Sequence, residues 1–373
     1  MAEKFTVTPW KVEGSIDYER LVKDFGTEHI DDALLRRIKA LAGGELHHFL
    51  RRKIFFSHRD MNWVLDEYSK GNKFFLYTGR GPSGHTHIGH TIPWMFTKWL
   101  QDKFDADLWF QLTDDEKFLF KDDLTLEQTN SLAYENALDI IAMGFKPGKT
   151  FIFADTDYAK TLYRESLKVA KKLTLSTAKA VFGFTDSNNV GEAFFTSFQS
   201  VPAFLPSVKK GRNIPCLIPH AIDQDAHFRV SRDILPKLGF YKPAAIHCRF
   251  LPALSAGGKM SASEKETAIY TTDSPEVVEK KIKKYAFSGG AASVEEHRRH
   301  GGKPEIDVSY QWLTFFEEDD SKLKQLHDEY ASGKLLSGEL KLILIEKLQS
   351  FLKEHQRKRE SAKKVLDKFI LKD

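Results

Sequence analysis

Residues 74–90 read FFLYTGRGPSGHTHIGH, and this stretch decides the fold class. Its apolar start predicts a buried strand, Phe74–Thr78, that ends at Gly79. The pattern after the glycines predicts a helix over Ile92–Phe104 with Pro93 in its first turn. A glycine-rich turn between a strand and a helix lets backbone N–H groups and the positive end of the helix dipole approach an anion. The stretch therefore predicts a phosphate-binding site at the end of a strand.

Apolar and amphipathic segments continue to alternate along the chain. Apolar runs predict four more strands, at Asp107–Leu112, Phe151–Ala154, Cys216–Ile218 and Ala245–Cys248. Two helices are predicted, one from the apolar face Tyr134, Leu138, Ile141 and Phe145 with a stop at Lys146–Gly148, and one over Leu162–Leu173. Repeated strand–helix–strand units predict an α/β domain with a parallel sheet and right-handed crossovers.

The pattern changes near residue 272, beyond which only helices are predicted. Asp273 or Ser274 can cap a helix that opens with Pro275. Leu340–Leu371 predicts a long amphipathic helix. Its stretch Lys353–Ser361 has no apolar residue, so we expect that stretch to be exposed or to contact a polar partner. The sequence thus predicts an α/β domain over residues 1–272 and a smaller all-helical domain over residues 273–373.

Composition excludes several classes of protein. The 373 residues are 41% hydrophobic and 29% charged, which is typical of a globular chain and too apolar for a disordered one. Two cysteines cannot form a disulfide framework or a four-thiolate zinc site, so we expect buried thiols, a reducing cytoplasm and no zinc. No secretory leader and no membrane-spanning stretch is predicted. The net charge of +4 excludes a polycation, so a nucleic-acid partner must bind to a local patch.

The glycine turn admits two other interpretations. Gly79, Gly81 and Gly84 match the GxGxxG pattern of a dinucleotide-binding fold, but that pattern alone is weak. Pro82 removes an N–H beside the glycine that would approach a pyrophosphate. The carboxylates after the next strand come 30 residues past Gly84, where about 20 is usual. A purely structural turn is the second alternative, and His85 is expected to be a bystander in either case.

A second glycine-containing loop, Gly257–Ser263, reads GGKMSAS. A lysine and two hydroxyls in a flexible loop, Lys259, Ser261 and Ser263, are suited to hold phosphate groups. The loop is not a P-loop, because Met260 follows the lysine where that motif has a hydroxyl residue. A lysine in such a loop is usually only solvated. The loop therefore indicates a phosphate site only when it is considered together with the glycine turn at 79–90.

The segments HIGH (87–90) and KMSAS (259–263) together resemble the paired signatures of class I aminoacyl-tRNA synthetases. Four further segments resemble tryptophanyl-tRNA synthetases of the archaeal and eukaryotic-cytoplasmic branch: LYTGRGPS (76–83), LTDDEKF (112–118), AIDQD (221–225) and AFSGG (286–290). The resemblance runs from about Val7 nearly to the C-terminus. The loop departs from the commonest signature at Ala262, where many relatives carry a second lysine.

The resemblance implies a fold and a reaction. The fold would be a Rossmann-like parallel-sheet catalytic domain over residues 1–272, with an N-terminal hairpin at Phe5–Gly14 and a connecting insertion. A helical anticodon-binding domain would span 273–373, with a last helix able to pack back on the catalytic domain. The reaction would join L-tryptophan to tRNA(Trp) through tryptophanyl-adenylate, consuming ATP with Mg²⁺ and releasing pyrophosphate and AMP. A cytoplasmic homodimer that does not contact a membrane is implied as well.

The resemblance also implies three sets of site residues. The catalytic set is His87, His90, Lys259, Arg80 and Lys117. The ATP-binding set is Gly79, Gly81, Gly89, Met260, Ser261, Ser263 and Gln224. The tryptophan-binding set is Tyr77, Gln111, Glu116, Gln199 and again Gln224. Their chemistry suits the ligands, because an indole N–H needs an acceptor and an α-ammonium is well matched by a carboxylate. No metal-ligating residue is implied, since Mg²⁺ would be bound to the phosphates of ATP.

Basic clusters are candidates for the tRNA surface. Residues 341–373 hold ten Lys or Arg and five Asp or Glu, and two more clusters lie at 280–284 and at Arg51–Lys53. Such clusters suit RNA phosphates, although solvated faces look the same in sequence. Two rival functions stay open at this stage. One is a tyrosyl enzyme, whose pocket would bind a phenol hydroxyl, and the other is an inactive RNA-binding relative.

Overall fold

Most of the strands belong to one seven-stranded sheet in the computed structural model, which describes residues 6–10, 12–14, 16–255, 259–260 and 266–373. The strands of the described residues are β1 Thr6–Val7, β2 Val12–Glu13, β3 Glu28–His29, β4 Phe55–Arg59, β5 Phe75–Arg80, β6 Asp107–Leu112, β7 Thr150–Ala154, β8 Cys216–Ala221 and β9 Ala244–Cys248. The helices of the catalytic half are α1 Tyr18–Phe25, α2 Asp32–Leu41, α3 His48–Arg51, α4 Met61–Ser69, α5 Ile88–Phe104, α6 Asp114–Leu119, α7 Leu126–Ala142, α8 Ala159–Ala170, α9 Leu175–Phe182, α10 Val190–Phe198, α11 Leu205–Lys210 and α12 Asp225–Ile234. Beyond them lie α13 Pro275–Tyr285, α14 Val294–His300, α15 Val308–Phe316, α16 Asp320–Ala331 and α17 Ser337–Ala362.

The order of strands in the sheet is β3-β4-β9-β8-β5-β6-β7. The five strands from β9 to β7 run parallel, and β4 and β3 extend one edge in antiparallel pairing. From β5 the chain first builds outward through β6 and β7, and then returns to place β8 on the other side of β5. The point between β5 and β8 is therefore a topological switch point, where the carboxyl ends of the strands leave a crevice for a ligand. The α/β, Rossmann-like class is confirmed.

Both faces of the sheet are buried, as a parallel sheet requires. On β5, Leu76 packs into the cluster formed with α5 and α7, whereas Phe75 and Tyr77 pack with residues of α9 to α12 on the opposite face. Alternation along one strand thus fixes which side chains face which layer. The frequent phenylalanines fill these layers, and Phe96 and Phe110 are fully buried.

The helix after the glycine turn begins at Ile88, four residues earlier than predicted. Its N-cap is His87, whose backbone N–H donates to the ring Nδ1 of His90. A histidine pair is not a standard capping signal, so sequence patterns did not reveal this start. Pro93 consequently lies in the second turn, where its missing N–H removes one intrahelical bond, to the carbonyl of Gly89.

Several other boundaries differ from prediction, among them that of the long C-terminal helix α17, which spans Ser337–Ala362 and not Leu340–Leu371. Strand β5 continues through Gly79 to Arg80, because Gly79 and Arg80 still pair with β6. Helix α7 ends at Ala142, before Phe145 and before the predicted stop, because Gly144 takes a left-handed conformation with φ 87°. Helix α8 spans Ala159–Ala170, three residues earlier than predicted at both ends. The predicted bounds of β6 are confirmed.

The C-terminal helices share a continuous core with the sheet region. Ser274 caps α13 and Pro275 occupies its first position, as predicted. The indole N–H of Trp312 donates to the Pro252 carbonyl at 3.0 Å. Helix α17 lies along α7, where His355 Nε2 is 2.9 Å from the Asp139 carboxylate and Arg359 pairs with the same group. The polar stretch of this helix thus contacts a polar partner, which was one of the two predicted outcomes.

Replacing Asp139 with alanine is expected to lower the free energy of unfolding by about 3 kcal/mol, since it leaves a buried imidazole and a guanidinium without their carboxylate. Glu135, which also pairs with Arg359, is half exposed. Glu135→Ala is the matched control, and we expect it to change stability by only about 0.5 kcal/mol. Denaturant titration measures both, and equal losses in the two variants would contradict a special role for the buried pair.

The predicted N-terminal hairpin is present in the described residues. Strands β1 and β2 pair antiparallel with Val7 opposite Val12, while Phe5 and Lys11 lie outside the described residues. The turn places Trp10 against the sheet region, where its ring stacks on Phe120 at 4.7 Å. Among the described residues, no helix is long and apolar enough to cross a membrane.

Candidate active site

A cavity of about 440 Å³ opens at the switch point between β5 and β8. The end of β5 with the start of α5 forms one wall, and the end of β8 forms the opposite wall. The start of α6 and the hairpin residue Trp10 cover one end, and Lys259 with Met260 closes the other. Of the predicted site residues, those that line this cavity are Gly79, Arg80, Gly81, His87, Gly89, His90, Glu116, Lys117, Gln199, Gln224, Lys259 and Met260.

The two histidines of the HIGH segment stack with their ring centroids 3.5 Å apart. Burial, reinforced by the charge of Arg80, lowers the pKa of His87 to about 3 and holds the pKa of His90 well below its ordinary value. Both rings are therefore neutral at physiological pH and act as uncharged N–H donors. A Cβ on Gly89 would approach the His87 ring to 3.0 Å, so the glycine allows the rings to pack here.

Arg80 supplies positive charge without a carboxylate partner. Its guanidinium donates to the Gly81 carbonyl, and within the described part of the chain Nε and Nη2 have no partner although they are buried. Burial lowers the pKa of Arg80 to about 10, so the group stays charged at neutral pH. A Cβ on Gly81 would lie 2.0 Å from Lys117 Cε, so a side chain at this position would force the Lys117 ammonium to move. Such a site favours an anion.

Lys259 lies across the cavity from the glycine turn. Its ammonium is 2.8 Å from Asp223 Oδ2 and 5.0 Å from the centre of the Phe250 ring. Met260, the next residue, is buried, and its N–H donates to the Leu251 carbonyl. The loop glycines and the predicted phosphate ligands Ser261 and Ser263 lie outside the described residues.

Glu116 is one of the two carboxylates that line the cavity. It accepts hydrogen bonds from Thr113 Oγ1 at 2.6 Å, from Lys117 Nζ at 2.9 Å and from the indole N–H of Trp10 at 3.1 Å. Burial acts to raise the pKa of Glu116, but the Lys117 charge and the Thr113 hydrogen bond outweigh it and hold the pKa below its ordinary value. A buried, ionised carboxylate is suited to bind an ammonium group.

Of the predicted ligand residues that the structure describes, Tyr77 and Gln111 are the two that do not line the cavity. Both are fully buried behind Gln199, whose Nε2 donates to the Tyr77 oxygen at 2.8 Å. Tyr77 in turn donates its O–H to Gln111 Oε1. The three side chains are thus brought together as predicted, but a ligand reaches the deeper two only after Gln199 moves. Gln224 lines the cavity near the hairpin and donates to the Pro9 carbonyl at 3.3 Å.

Sequence reasoning missed three side chains of this cavity, His220, His227 and Asp223. His220 Nε2, His227 Nδ1 and Asp223 Oδ1 are buried and have no hydrogen-bond partner among the described residues. Burial lowers the pKa of His220 to about 3 and that of His227 to about 4. The signal was their place at the end of β8 and the start of α12, the switch point, where side chains converge on a ligand.

Three carboxyl groups meet beside the cavity, at the ends of β6 and β7. Asp114 accepts from Thr156 N–H and from Asn130, and Asp115 and Asp155 hydrogen-bond to each other. Burial raises the pKa of Asp115 to about 7, and burial with the neighbouring charge of Asp115 raises the pKa of Asp155 well above its ordinary value. The pair therefore retains a proton near neutral pH.

Asp115→Asn is expected to change how stability depends on pH. A carboxyl whose pKa rises on folding binds its proton more tightly in the folded chain. Its contribution to stability is therefore largest below its ordinary value of 3.8 and is lost as the pH rises to about 7. Relative to the asparagine variant, which cannot titrate, the wild type should lose unfolding free energy between those values. Denaturant titrations at about pH 4 and pH 8 measure this, and a constant difference would contradict it.

The described residues contain no cluster of three His, Cys, Asp or Glu side chains that could hold a metal ion. The carboxylates of the cavity, Glu116 and Asp223, are each bonded to a lysine instead. The site as described is thus one of buried cations and neutral N–H donors facing a cavity, with one ionised carboxylate at its far end. It suits a polyphosphate together with a ligand that carries an ammonium group.

The sequence matches the family described as tRNA synthetases class I (W and Y) over residues 69–353. The fold is that of this class. The chain is 54% identical to the tryptophan–tRNA ligase of Saccharolobus solfataricus over 99% of this chain and 96% of that protein. It is also 54% identical to the ligase of Pyrococcus abyssi, over 99% and 94%. The crystal structure of Plasmodium falciparum tryptophanyl-tRNA synthetase superposes with a TM-score of 0.88 and 45% identity, covering 93% of this chain and 94% of that one. The chain therefore belongs to the tryptophan–tRNA ligase family.

Proposed function

We propose that this chain is a tryptophan–tRNA ligase that joins L-tryptophan to tRNA(Trp) in two steps at the cavity between β5 and β8. Tryptophan and ATP first give tryptophanyl-adenylate and pyrophosphate, and the tryptophanyl group then passes to the tRNA with release of AMP. High identity to tryptophan–tRNA ligases over nearly the whole chain supports the reaction. The main observation that supports this location of the active site is that Lys259 and the His87–His90 pair line the same cavity.

The proposed chemistry requires positioning and charge stabilisation but no base on the enzyme. The carboxylate of tryptophan is already ionised at neutral pH, and it attacks the α-phosphorus while pyrophosphate leaves. Arg80 and Lys259 would stabilise the negative charge of the transition state, and the neutral imidazoles of His87 and His90 would donate N–H groups to the phosphates. Glu116 would bind the α-ammonium of tryptophan. Six further predicted residues line the same cavity, and we assign them to the ligand-binding site: Lys117, Gly79, Gly81, Gly89, Met260 and Gln224.

Mg²⁺ enters this scheme with ATP, as part of the substrate. Glu116 and Asp223, the two carboxylates that line the cavity, each bind a lysine. The phosphates of ATP and water would therefore supply most ligands of the ion, which is how Mg²⁺ is commonly held in nucleotide sites. ATP use itself follows from membership of the synthetase family.

We propose that the helical region 273–373 binds the anticodon part of the tRNA, with residues 1–272 as the catalytic domain. Exposed lysines of α13, Lys280, Lys283 and Lys284, lie next to α17, whose Lys341 bonds to the Lys283 carbonyl. These charges and those at the end of α17 can pair with RNA phosphates. Lys281 contributes less, because its ammonium is bonded to Asp273 at 2.7 Å.

The cluster Arg51–Lys53 is a weaker candidate for RNA than the sequence suggested. Arg51 and Arg52 both bind the Asp320 carboxylate at 2.6 Å, and Arg52 also donates to the Thr314 carbonyl at 2.8 Å. These contacts join α3 to the helical region, so we assign the two arginines to holding the C-terminal helices in place.

We propose further that the protein works as a cytoplasmic homodimer. Buried free thiols at Cys216 and Cys248 fit a reducing compartment. Large apolar side chains stay exposed on the neighbouring helices α8, α9 and α10, with Leu167 at 46%, Leu175 at 61% and Val190 at 86% exposure. A second copy covering this face would remove those side chains from water.

Leu167→Glu is expected to convert the dimer to a monomer, because it places a charge in an apolar interface. Analytical ultracentrifugation at micromolar concentration measures the mass directly. Lys324→Glu, on the exposed face of α16, is the control and should leave the dimer intact. A wild-type chain that sediments as a monomer would contradict the homodimer, and a dimer unaffected by Leu167→Glu would contradict this interface.

Charging of tRNA tests the proposed function. Unfractionated tRNA is incubated with the purified protein, ATP, Mg²⁺ and labelled tryptophan, and the charged species is isolated and sequenced. We expect label only on tRNA(Trp), dependent on ATP. Binding of tRNA without any charging would favour the rival function, an inactive RNA-binding relative.

A further inference from the structure

A line of buried hydrogen bonds runs from a carboxyl group to the wall of the cavity. Asp155 at the end of β7 accepts from Gln111 Nε2, with the two carboxyl oxygens at 2.9 and 2.8 Å. Gln111 Oε1 accepts the O–H of Tyr77, and the Tyr77 oxygen accepts Gln199 Nε2 at 2.8 Å. Asp155 and Gln111 are 1% and 0% exposed, so water cannot replace either partner.

Asp155 determines which way the Gln111 amide points. Only the NH₂ end of the amide can donate to two carboxyl oxygens. The reversed amide would place Oε1 against them and leave both buried groups without a donor, which is unfavourable by about 1–3 kcal/mol for each group. The amide oxygen of Gln111 therefore faces Tyr77, and Tyr77 must donate its only hydrogen away from the cavity, toward Gln111 Oε1 and the Gln199 carbonyl.

Asp115 shares a proton with Asp155 and so affects the protonation of Asp155. The two carboxyl groups hydrogen-bond to each other, and Asp115 also accepts the N–H of Glu116 at 2.7 Å. Both oxygens of Asp155 lie within hydrogen-bond distance of Gln111 Nε2, and a proton shared with Asp115 engages at most one of them. At least one oxygen therefore remains an acceptor for the Gln111 amide, and the direction of the whole line of hydrogen bonds is set from its buried end.

We propose that Asp155 is a positioning residue for substrate selection, which acts through Gln111 to make the Tyr77 oxygen an acceptor toward the pocket. This inference rests on the proposed function, and it deepens the role of the tryptophan site. Gln199 Nε2 now occupies the free lone pair of Tyr77. When Gln199 moves aside, the same lone pair accepts the N–H of an indole ring. An aromatic amino acid of equal shape that lacks a ring N–H leaves that lone pair buried and unpaired.

Competition between tryptophan and 3-(benzothiophen-3-yl)alanine, in which sulfur replaces the ring N–H, tests the proposal. ATP–pyrophosphate exchange gives kcat/KM for each substrate, and their ratio is the readout. We expect the wild type to favour tryptophan by at least about tenfold, and Asp155→Asn to lower that ratio about tenfold, since an asparagine can donate as well as accept and lets Gln111 reverse. The kcat/KM of the sulfur analogue should stay nearly constant.

Asp114→Asn is the matched control, because Asp114 is a buried carboxyl of the same cluster that bonds to Thr156 and Asn130 instead of Gln111. It should leave the ratio unchanged. Gln111→Met should lower the ratio as Asp155→Asn does, and adding Asp155→Asn to it should have no further effect. Asp155→Ser carries the same expectation if the asparagine variant does not fold.

Equal losses of kcat/KM for both substrates in Asp155→Asn would overturn the proposal, because they indicate a purely structural role. So would effects of Asp155→Asn and Gln111→Met that multiply, or a wild-type ratio near one. These outcomes differ from failure of the proposed function, for which the wild type would show no tryptophan-dependent exchange at all.

Discussion

Lys259→Ala is expected to lower kcat for ATP–pyrophosphate exchange by about 100- to 1000-fold, the usual effect of removing one preorganised donor to developing charge. Lys259 faces the His87–His90 pair and Arg80 across the cavity, and its present partner is Asp223 at 2.8 Å. On ATP binding, the ammonium would exchange this carboxylate for the phosphates. Because the interaction strengthens as charge develops, kcat should fall far more than KM for tryptophan rises.

Steady-state exchange over a matrix of tryptophan and ATP concentrations separates these effects. Lys324→Ala removes an exposed lysine of α16 and serves as the control, with unchanged kinetics expected. Lys259→Arg keeps the charge but not the compact ammonium, and it should recover only part of the rate. Adenylate formation at the wild-type rate in Lys259→Ala would refute the assignment of this lysine to the phosphates.

Glu116→Gln is expected to raise KM for tryptophan by about 30- to 1000-fold while leaving KM for ATP nearly unchanged, since an unpaired buried ammonium costs about 2–4 kcal/mol. Glu116 is ionised, buried and held by Thr113 and Lys117. Glutamine has nearly the same shape and can still accept from Thr113, so the loss reports the charge and not the packing.

Calorimetric titration of tryptophan in the absence of ATP measures the same effect directly. Glu135→Gln changes a half-exposed carboxylate on α7 and is the matched control for loss of one negative charge. If Glu116→Gln raised KM for ATP and left tryptophan binding intact, the two ends of the cavity would be assigned the wrong way round.

Much of the fold could be predicted from local patterns. The apolar run at Asp107–Leu112 has a length and composition typical of a buried strand, and its bounds are confirmed. The start of α5 was missed because its cap forms between His87 and His90, which no capping rule contains. The end of α7 was missed because Gly144, a single left-handed residue, stops the helix before the more obvious proline and glycine.

The site could be predicted only in part, because its chemistry depends on contacts distant in sequence. The HIGH and KMSAS segments indicated a phosphate site, and residues of both line one cavity. The hydrogen bond from Trp10 to Glu116 joins residues 106 positions apart, and no local pattern records it. His227 was missed because an isolated histidine is usually a satisfied core residue. Its unpartnered Nδ1 is visible only once the fold buries it beside the cavity.

Charge runs were the least reliable signal. Arg51 and Arg52 look like a basic patch in the sequence, but both bind Asp320 on a helix far along the chain. Lys281 likewise binds Asp273. A run of like charges indicates only that these side chains must contact either water or groups of opposite charge. Which of the two they contact depends on the fold.

ATP–pyrophosphate exchange measured with tryptophan and with tyrosine, each as the only amino acid, tests the central claim most directly. Because the chain is 54% identical to tryptophan–tRNA ligases over nearly its whole length, we predict exchange that depends on tryptophan and is at background with tyrosine. Exchange that depends on tyrosine and not on tryptophan would contradict the account.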